Sequence, residues 1–200
     1  MKFVARIEGG SLGVLATRLR GFENLSGLAG LLNTAGEMVR AATVAAETKQ
    51  TNLPGDTLER AQKVIPASAG NLRFTIWSHG GNVRLKYFHA REYGTGVAAD
   101  PWGSSRFYPR AFITSGRSPR RAPAPKLNGQ VYTQVSGYST RWGGKTAAAK
   151  GGLRGGPITQ ARSGLFIPTE MTRGATAGAF GAGTTEALRL LESRLMALLG

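Results

Sequence analysis

Apolar and polar positions alternate at the start of the chain. Phe3, Ala5 and Ile7 share one side and Gly9-Gly10 ends the run, which predicts a short strand over 3–7. Residues 12–19 fit a short helix. The spacing then becomes helical: Leu28, Leu31, Leu32, Ala35, Met38, Val39, Ala42, Ala45 and Ala46 recur every three or four residues. Glu37, Arg40, Glu47 and Lys49 fall largely off that stripe. One amphipathic helix over 26–50 is expected, and its many alanines suit close helix packing.

Asn52-Leu53-Pro54-Gly55 breaks this helix. Asp56-Thr57-Leu58-Glu59 has the form of a capping-box variant, opening a second helix to about residue 64, and Pro66 disfavours helical geometry at Ile65. A period of two follows. Leu72, Phe74 and Ile76 alternate with Arg73, Thr75 and Trp77. Ser78-His79-Gly80-Gly81-Asn82 supplies turn chemistry, and Val83, Leu85 and Tyr87 alternate with Arg84, Lys86 and Phe88. This pattern predicts a β-hairpin with one core face and one mixed face. Further on, 110–114 and 130–135 read as strands. Residues 143–164 read as a long loop rich in Gly, Ala, Lys and Arg, and 172–183 as a small-residue linker. Leu188, Leu191, Leu195 and Leu198 mark a C-terminal helix opened by Thr184-Thr185-Glu186. There is no internal repeat.

Two hundred residues suffice for one domain with a modest core, so a single domain over 1–200 is expected, with 114–165 as a long basic loop. The formal net charge of +15 changes the picture, because it predicts attraction to polyanions or to an acidic protein surface. Its placement says more than its sum. No acidic residue lies between Asp100 and Glu170, a stretch that holds Arg106, Arg110, Arg117, Arg120, Arg121, Lys126, Arg141, Lys145, Lys150, Arg154 and Arg162. Such a block is not neutralised from within and calls for an external partner or solvent.

The chain has no cysteine, which removes disulfides, thiolate metal sites and cysteine nucleophiles and fits assembly inside the cell. No apolar run approaches the roughly 20 residues that span a bilayer. The N-terminus lacks the apolar core of a signal peptide. A soluble chain with no membrane partner is the expectation.

Motifs of small-molecule chemistry fail on context. Gly94-Thr95-Gly96-Val97-Ala98-Ala99 matches a dinucleotide fingerprint with Ala in last place, yet Asp100-Pro101 follows where a helix must begin. It reads as a glycine-bearing turn. Gly144-Lys145-Thr146 resembles the end of a P-loop, but Ser139 stands where the first glycine belongs, and a flexible basic loop is the simpler reading. His79, read as a turn residue, and His89, read as a strand end, have no metal spacing. No serine sits in a Gly-x-Ser-x-Gly elbow, and the eleven carboxylates are scattered. No catalytic, cofactor-binding or metal-ligating residue is assigned, and no enzyme activity is expected. The stretch 101–142 mixes arginines with Trp102, Phe107, Tyr108, Tyr132, Tyr138 and Trp142. That mixture suits single-stranded nucleic acid and protein interface hot spots equally.

The run Ala90-Arg91-Glu92-Tyr93-Gly94-Thr95-Gly96-Val97-Ala98-Ala99-Asp100-Pro101-Trp102-Gly103, followed by Arg106-Phe107-Tyr108-Pro109-Arg110-Ala111-Phe112-Ile113, resembles the minor tail protein Z family of tailed phages. Gly156-Pro157-Ile158 and Gly164-Leu165-Phe166-Ile167-Pro168-Thr169-Glu170-Met171 resemble later segments of that family, and the likeness covers roughly 26–199. The N-terminal strand and long helix are also similar to the broader tail-completion group of siphophages.

The resemblance implies an α+β fold, with a long N-terminal helix packed on a small antiparallel sheet and a C-terminal helix. It implies a non-enzymatic virion protein assembled in the host cytoplasm, acting in tail completion and head–tail joining at the neck. Its expected partners are further copies in a six-fold ring, terminator, stopper or tail-tube proteins, and genome DNA in the channel. Gly94, Gly96, Trp102, Gly103, Tyr108 and Phe112 are the fold-defining signature. Arg106, Arg110, Arg117, Arg120, Arg121, Lys126, Tyr132, Tyr138, Arg141 and Trp142 are the expected interface residues. The alternative function is that of a basic nucleic-acid-binding protein.

Overall fold

The computed structural model describes residues 2–7, 25–114, 125, 128–134 and 158–199. The fold is mixed α+β, with a long N-terminal helix, small antiparallel sheets and a C-terminal helix. The chain forms two compact units, Met1–Gly81 with Phe166–Gly200, and Asn82–Leu165.

The first unit is built on helix α1 (Leu25–Thr51). Its buried positions are Leu28, Ala29, Leu32, Ala35, Gly36 and Val39, then Thr43, Val44, Glu47 and Thr51. The upper half follows the apolar stripe. The lower half turns away from it: Met38 is exposed, as are Ala42 and Ala45, and Glu47, expected to face solvent, has no exposed surface. The buried threonines return their hydroxyls to the helix, Thr43 to the Val39 carbonyl at 2.7 Å and Thr51 to the Glu47 carbonyl at 2.7 Å. Burial of those hydroxyls therefore leaves no unmade bond. Asn52, in the left-handed conformation (φ 60°), ends α1 and donates its N–H to Thr48 O.

Helix α2 (Gly55–Ala61) is shorter than the sequence suggests. Its N-cap is Pro54 and no side chain caps it, so Asp56 and Glu59 form no capping box. At Gln62 the backbone becomes extended and forms strand β2 (Gln62–Ile65). Strand β3 (Phe74–His79) lies at the centre of a three-stranded antiparallel sheet, between β1 (Lys2–Ile7) and β2. The hairpin expected from the period-two run does not form: β3 pairs with β1 and β2, and Leu85–Tyr87 is a turn of 3-10 helix. His79 accordingly ends a strand, and its ring stacks on Trp77 at 5.1 Å.

The short helix α3 (Ile167–Glu170) leads into α4 (Gly174–Leu199). The expected linker is therefore mostly helix. Its small residues serve close packing, since a Cβ on Gly183 would stand 3.5 Å from the Val39 Cα. Ala187, Leu191 and Leu195 are buried, and Ala187 and Leu191 join Ala29, Leu32, Ala35 and Val39 in one core cluster. Ladders of small and branched residues of this kind let two helices approach closely while excluding water. The Gln50 side chain bonds to the start of α4: its Oε1 accepts from the Thr176 N–H at 3.0 Å and its Nε2 donates to the Glu170 carboxylate at 2.9 Å.

The second unit holds two three-stranded antiparallel sheets. One is a meander of β4 (Arg91–Tyr93), β5 (Gly96–Ala99) and β6 (Arg106–Pro109). The other orders β7 (Ala111–Phe112), β8 (Tyr132–Gln134) and β9 (Ile158–Gln160). Thus the region expected as a basic loop contributes two paired strands, and β6 is a strand the sequence pattern missed. Residues 12–19 and 143–157, expected as a helix and a loop, lie outside the described residues. No described helix is long and apolar enough to cross a membrane.

Candidate interaction surface

The signature run folds as one local structure. Tyr93 pairs with Gly96 and Gly96 with Pro109, so β4, β5 and β6 form a continuous meander. Alternation gives the meander two faces. Val97 and Ala99 are fully buried on one face, with Glu92 and Tyr108 half-buried beside them. On the other, Tyr93 and Phe107 are 53% and 51% exposed, flanked by Arg91 and Pro109. The Phe107 ring covers Gly96, where an added Cβ would meet Phe107 Cζ at 2.7 Å and the Tyr108 carbonyl at 2.4 Å. Only glycine fits there. Gly94 has open space around it and carries no such requirement.

After β5, Pro101–Gly103 makes a 3-10 turn in which Trp102 (φ 56°) and Gly103 (φ 68°) are both left-handed. For a bulky side chain that conformation is strained and persists only where surrounding contacts hold it. The Arg106 guanidinium lies 4.8 Å from the centre of the Trp102 ring, a cation–π contact that spans the turn. Arg110 (φ 60°) is a second left-handed residue and donates its N–H to Thr95 O at 2.9 Å, aligning β7 after β6. Glu92 closes the arrangement. One carboxylate oxygen accepts from the N–H groups of Ile113 and Thr114 and from the Thr114 hydroxyl, at 2.9, 2.8 and 2.8 Å. Charge-assisted bonds of this kind are stronger than neutral ones and fix the end of β7. Phe112 stacks on Tyr132 at 6.2 Å, between β7 and β8. Burial raises the Tyr108 phenol above its usual pKa, with Arg106 acting in the opposite direction.

Of the expected interface residues, Arg106 and Arg110 are exposed beside the meander and Tyr132 is half-buried in β8. Arg117, Arg120, Arg121, Lys126, Tyr138, Arg141 and Trp142 lie outside the described residues, as does Gly144-Lys145-Thr146. Trp102, Tyr108 and Phe112 are half-buried anchors of the local fold. Tyr93 and Phe107 were missed as surface anchors, although the alternation Arg91-Glu92-Tyr93 already places Tyr93 opposite Glu92.

A second surface has no counterpart in the sequence reading. Arg84 stands opposite Arg162 in an antiparallel bridge. With its amide oriented to satisfy both neighbours, Gln130 accepts at one oxygen from Arg84 Nη1 (3.1 Å) and Lys86 Nζ (3.2 Å). Lys86 also lies 5.2 Å from the Tyr87 ring centre, and Arg162 Nη1 donates to the Asn82 carbonyl at 3.0 Å.

No group of three or more His, Asp or Glu side chains suited to a metal ion occurs among the described residues. The fully buried Glu47 accepts from Gln62 Nε2 at 2.8 Å. Burial, with Glu170 as a lesser like-charged neighbour, raises its pKa from 4.5 to about 7 against the opposing bond from Gln62. Comparison of the chain with family models, with curated proteins and with solved structures finds no match.

Proposed function

We propose that this chain is a structural protein of a long-tailed phage particle, acting in tail completion and head–tail joining as part of a ring at the neck. The observation that carries the reading is the ordered signature from Ala90 to Ile113. Its unusual residues occupy positions with narrow steric demands: Gly96 under Phe107, Gly103 in a left-handed turn, and Trp102 held against Arg106. A likeness at such positions reflects a shared local structure and not a shared composition.

A ring of identical subunits needs head-to-tail interfaces that close on themselves. The exposed face of the meander suits that use, with Tyr93 and Phe107 as aromatic anchors and Arg91 and Arg106 at the rim. The basic segment around Arg117, Arg120 and Arg121 reaches neighbouring terminator, stopper or tail-tube proteins. Phage carrying Arg117→Ala, Arg120→Ala and Arg121→Ala together are expected to accumulate filled heads and unjoined tails, counted by electron microscopy of lysates. A normal yield of joined particles from a chain that lacks all three arginines contradicts the reading of that segment. Normal joining in a strain that lacks the whole chain contradicts the function itself.

A further inference from the structure

The second unit keeps cations together with little to neutralise them. From Asn82 to Leu165 the chain carries fourteen Lys and Arg and two carboxylates, Glu92 and Asp100. Glu92 is turned to backbone and hydroxyl donors near the end of β7. Three of the cations meet on one described surface. Arg84 and Arg162 are direct cross-strand partners, so their side chains leave the same face with Cβ atoms about 5 Å apart. Like charges in that relation repel. Arg84 and Lys86 share one neutral acceptor, the Gln130 amide oxygen, which sets their charged groups within about 6 Å of each other. Arg84 and Arg162 are exposed, and among the described residues no carboxylate pairs with any of the three.

We infer that Arg84, Lys86 and Arg162, organised around Gln130, form a binding site for the phosphodiester backbone of nucleic acid. A built cluster of like charges, held in place by an amide that does not neutralise it, is stabilised when an anion docks. Two features favour phosphates over an acidic protein. Guanidinium groups match phosphate oxygens with paired donors, and Lys86 adds a third donor beside them. Protein surfaces carry both signs of charge, so a face made for one also presents carboxylates, whereas this unit is almost without them. The contact reads backbone and not sequence, since cations with no base-reading groups position a nucleic acid without specifying it. The site stands independently of the tail-completion reading, because it rests on the second unit's own geometry.

The test is fluorescence anisotropy of the purified full chain with a labelled duplex, from about 50 to 200 mM salt. Binding is expected to weaken steeply with salt. The variant Arg84→Gln, Lys86→Gln, Arg162→Gln is expected to bind at least about tenfold more weakly at 100 mM, with a log–log salt slope smaller by about 2 to 3, near 0.9 per phosphate released. A control removing three exposed cations of the first unit, Arg60→Gln, Lys63→Gln and Arg194→Gln, is expected to bind within about twofold of the unmodified chain. Circular dichroism melts of both variants verify folding. Equal binding by the two variants overturns the site. So does binding of poly-glutamate with no binding of the duplex, which would point to an acidic protein partner.

Discussion

Phe74 in β3 lies against the backbone of Gly36 in α1 so closely that a Cβ at position 36 would stand 2.3 Å from the ring. This contact sets the helix on the sheet. Gly36→Ala gains roughly 1 kcal/mol of helix propensity but forces a ring that is 1% exposed into occupied space. The expected net effect is a loss of about 1–3 kcal/mol in urea unfolding, the range of overpacked cores. Gly30, on the same helix with open space around it, makes the comparison: Gly30→Ala is expected to stabilise by up to about 1 kcal/mol. Equal effects at the two positions contradict the packing.

Glu47 makes stability depend on pH in the direction opposite to most carboxylates. In the folded chain its proton is held up to about pH 7, and when unfolded it is released near the ordinary 4.5. The folded state therefore binds more protons between these values. Stability falls as pH rises from about 4.5 to 7 and levels off above that, by on the order of 3 kcal/mol at 1.36 kcal/mol for each unit of pKa. Glu47→Gln keeps an acceptor for Gln62 and removes the charge. It is expected to flatten this part of the profile and to be more stable than the unmodified chain at pH 8 in denaturant titrations. A variant with the same slope between pH 5 and 7 would assign the effect to another group.

The sequence shows why Glu47 was misread. Leu28, Leu32, Ala35 and Val39 define a stripe that extends naturally to Ala42 and Ala46, and a glutamate off that line belongs in water. In the structure Gln62 on β2 and Glu170 on α3 surround that end of α1, two contacts distant in sequence that helical periodicity does not encode. The glycines and alanines of 174–183 carry the same ambiguity, since small residues serve flexible linkers and close helix packing alike. Length decides between them: the apolar residues beyond 184 need a helix long enough to run beside α1. The long helix, the central strand and the C-terminal leucine pattern were legible because each carries its own period. Val83, Leu85 and Tyr87 also alternate, but apolar alternation over so few residues does not name a partner strand. For the interaction surface, the steric need at Gly96 and the strained turn at Trp102 were present as unusual residues. The grouping of Arg84, Lys86 and Arg162 was not, because it depends on a bridge between positions 78 residues apart.

Glu92 supports the end of β7 with three bonds to one oxygen. Glu92→Ala leaves those donors without their carboxylate, two of them backbone N–H groups, and is expected to cost about 2–4 kcal/mol. Glu92→Gln retains an acceptor oxygen without the charge and is expected to lose less, about 1–2 kcal/mol. Hydrogen exchange locates the effect, with the amides of Ile113 and Thr114 losing protection first. Unchanged protection at those two amides in Glu92→Ala contradicts the arrangement.

Gln50 links the last turn of α1 to the start of α4 through Thr176 and Glu170. Gln50→Ala removes these bonds together, and a loss of about 1–3 kcal/mol is expected. The loss comes with faster exchange in the first turn of α4 and little change near Leu191, where packing on α1 persists. A uniform change along α4 would show that the helix is held by its apolar face alone.

The most direct test of the central claim is a cryo-EM reconstruction of intact particles that carry this chain, focused on the head–tail junction. The account predicts a closed ring there whose subunits show the α1–α4 pair and the β4–β6 meander, with Tyr93 and Phe107 against a neighbouring protein. A junction built entirely from other chains, or particles that lack this chain altogether, would contradict it.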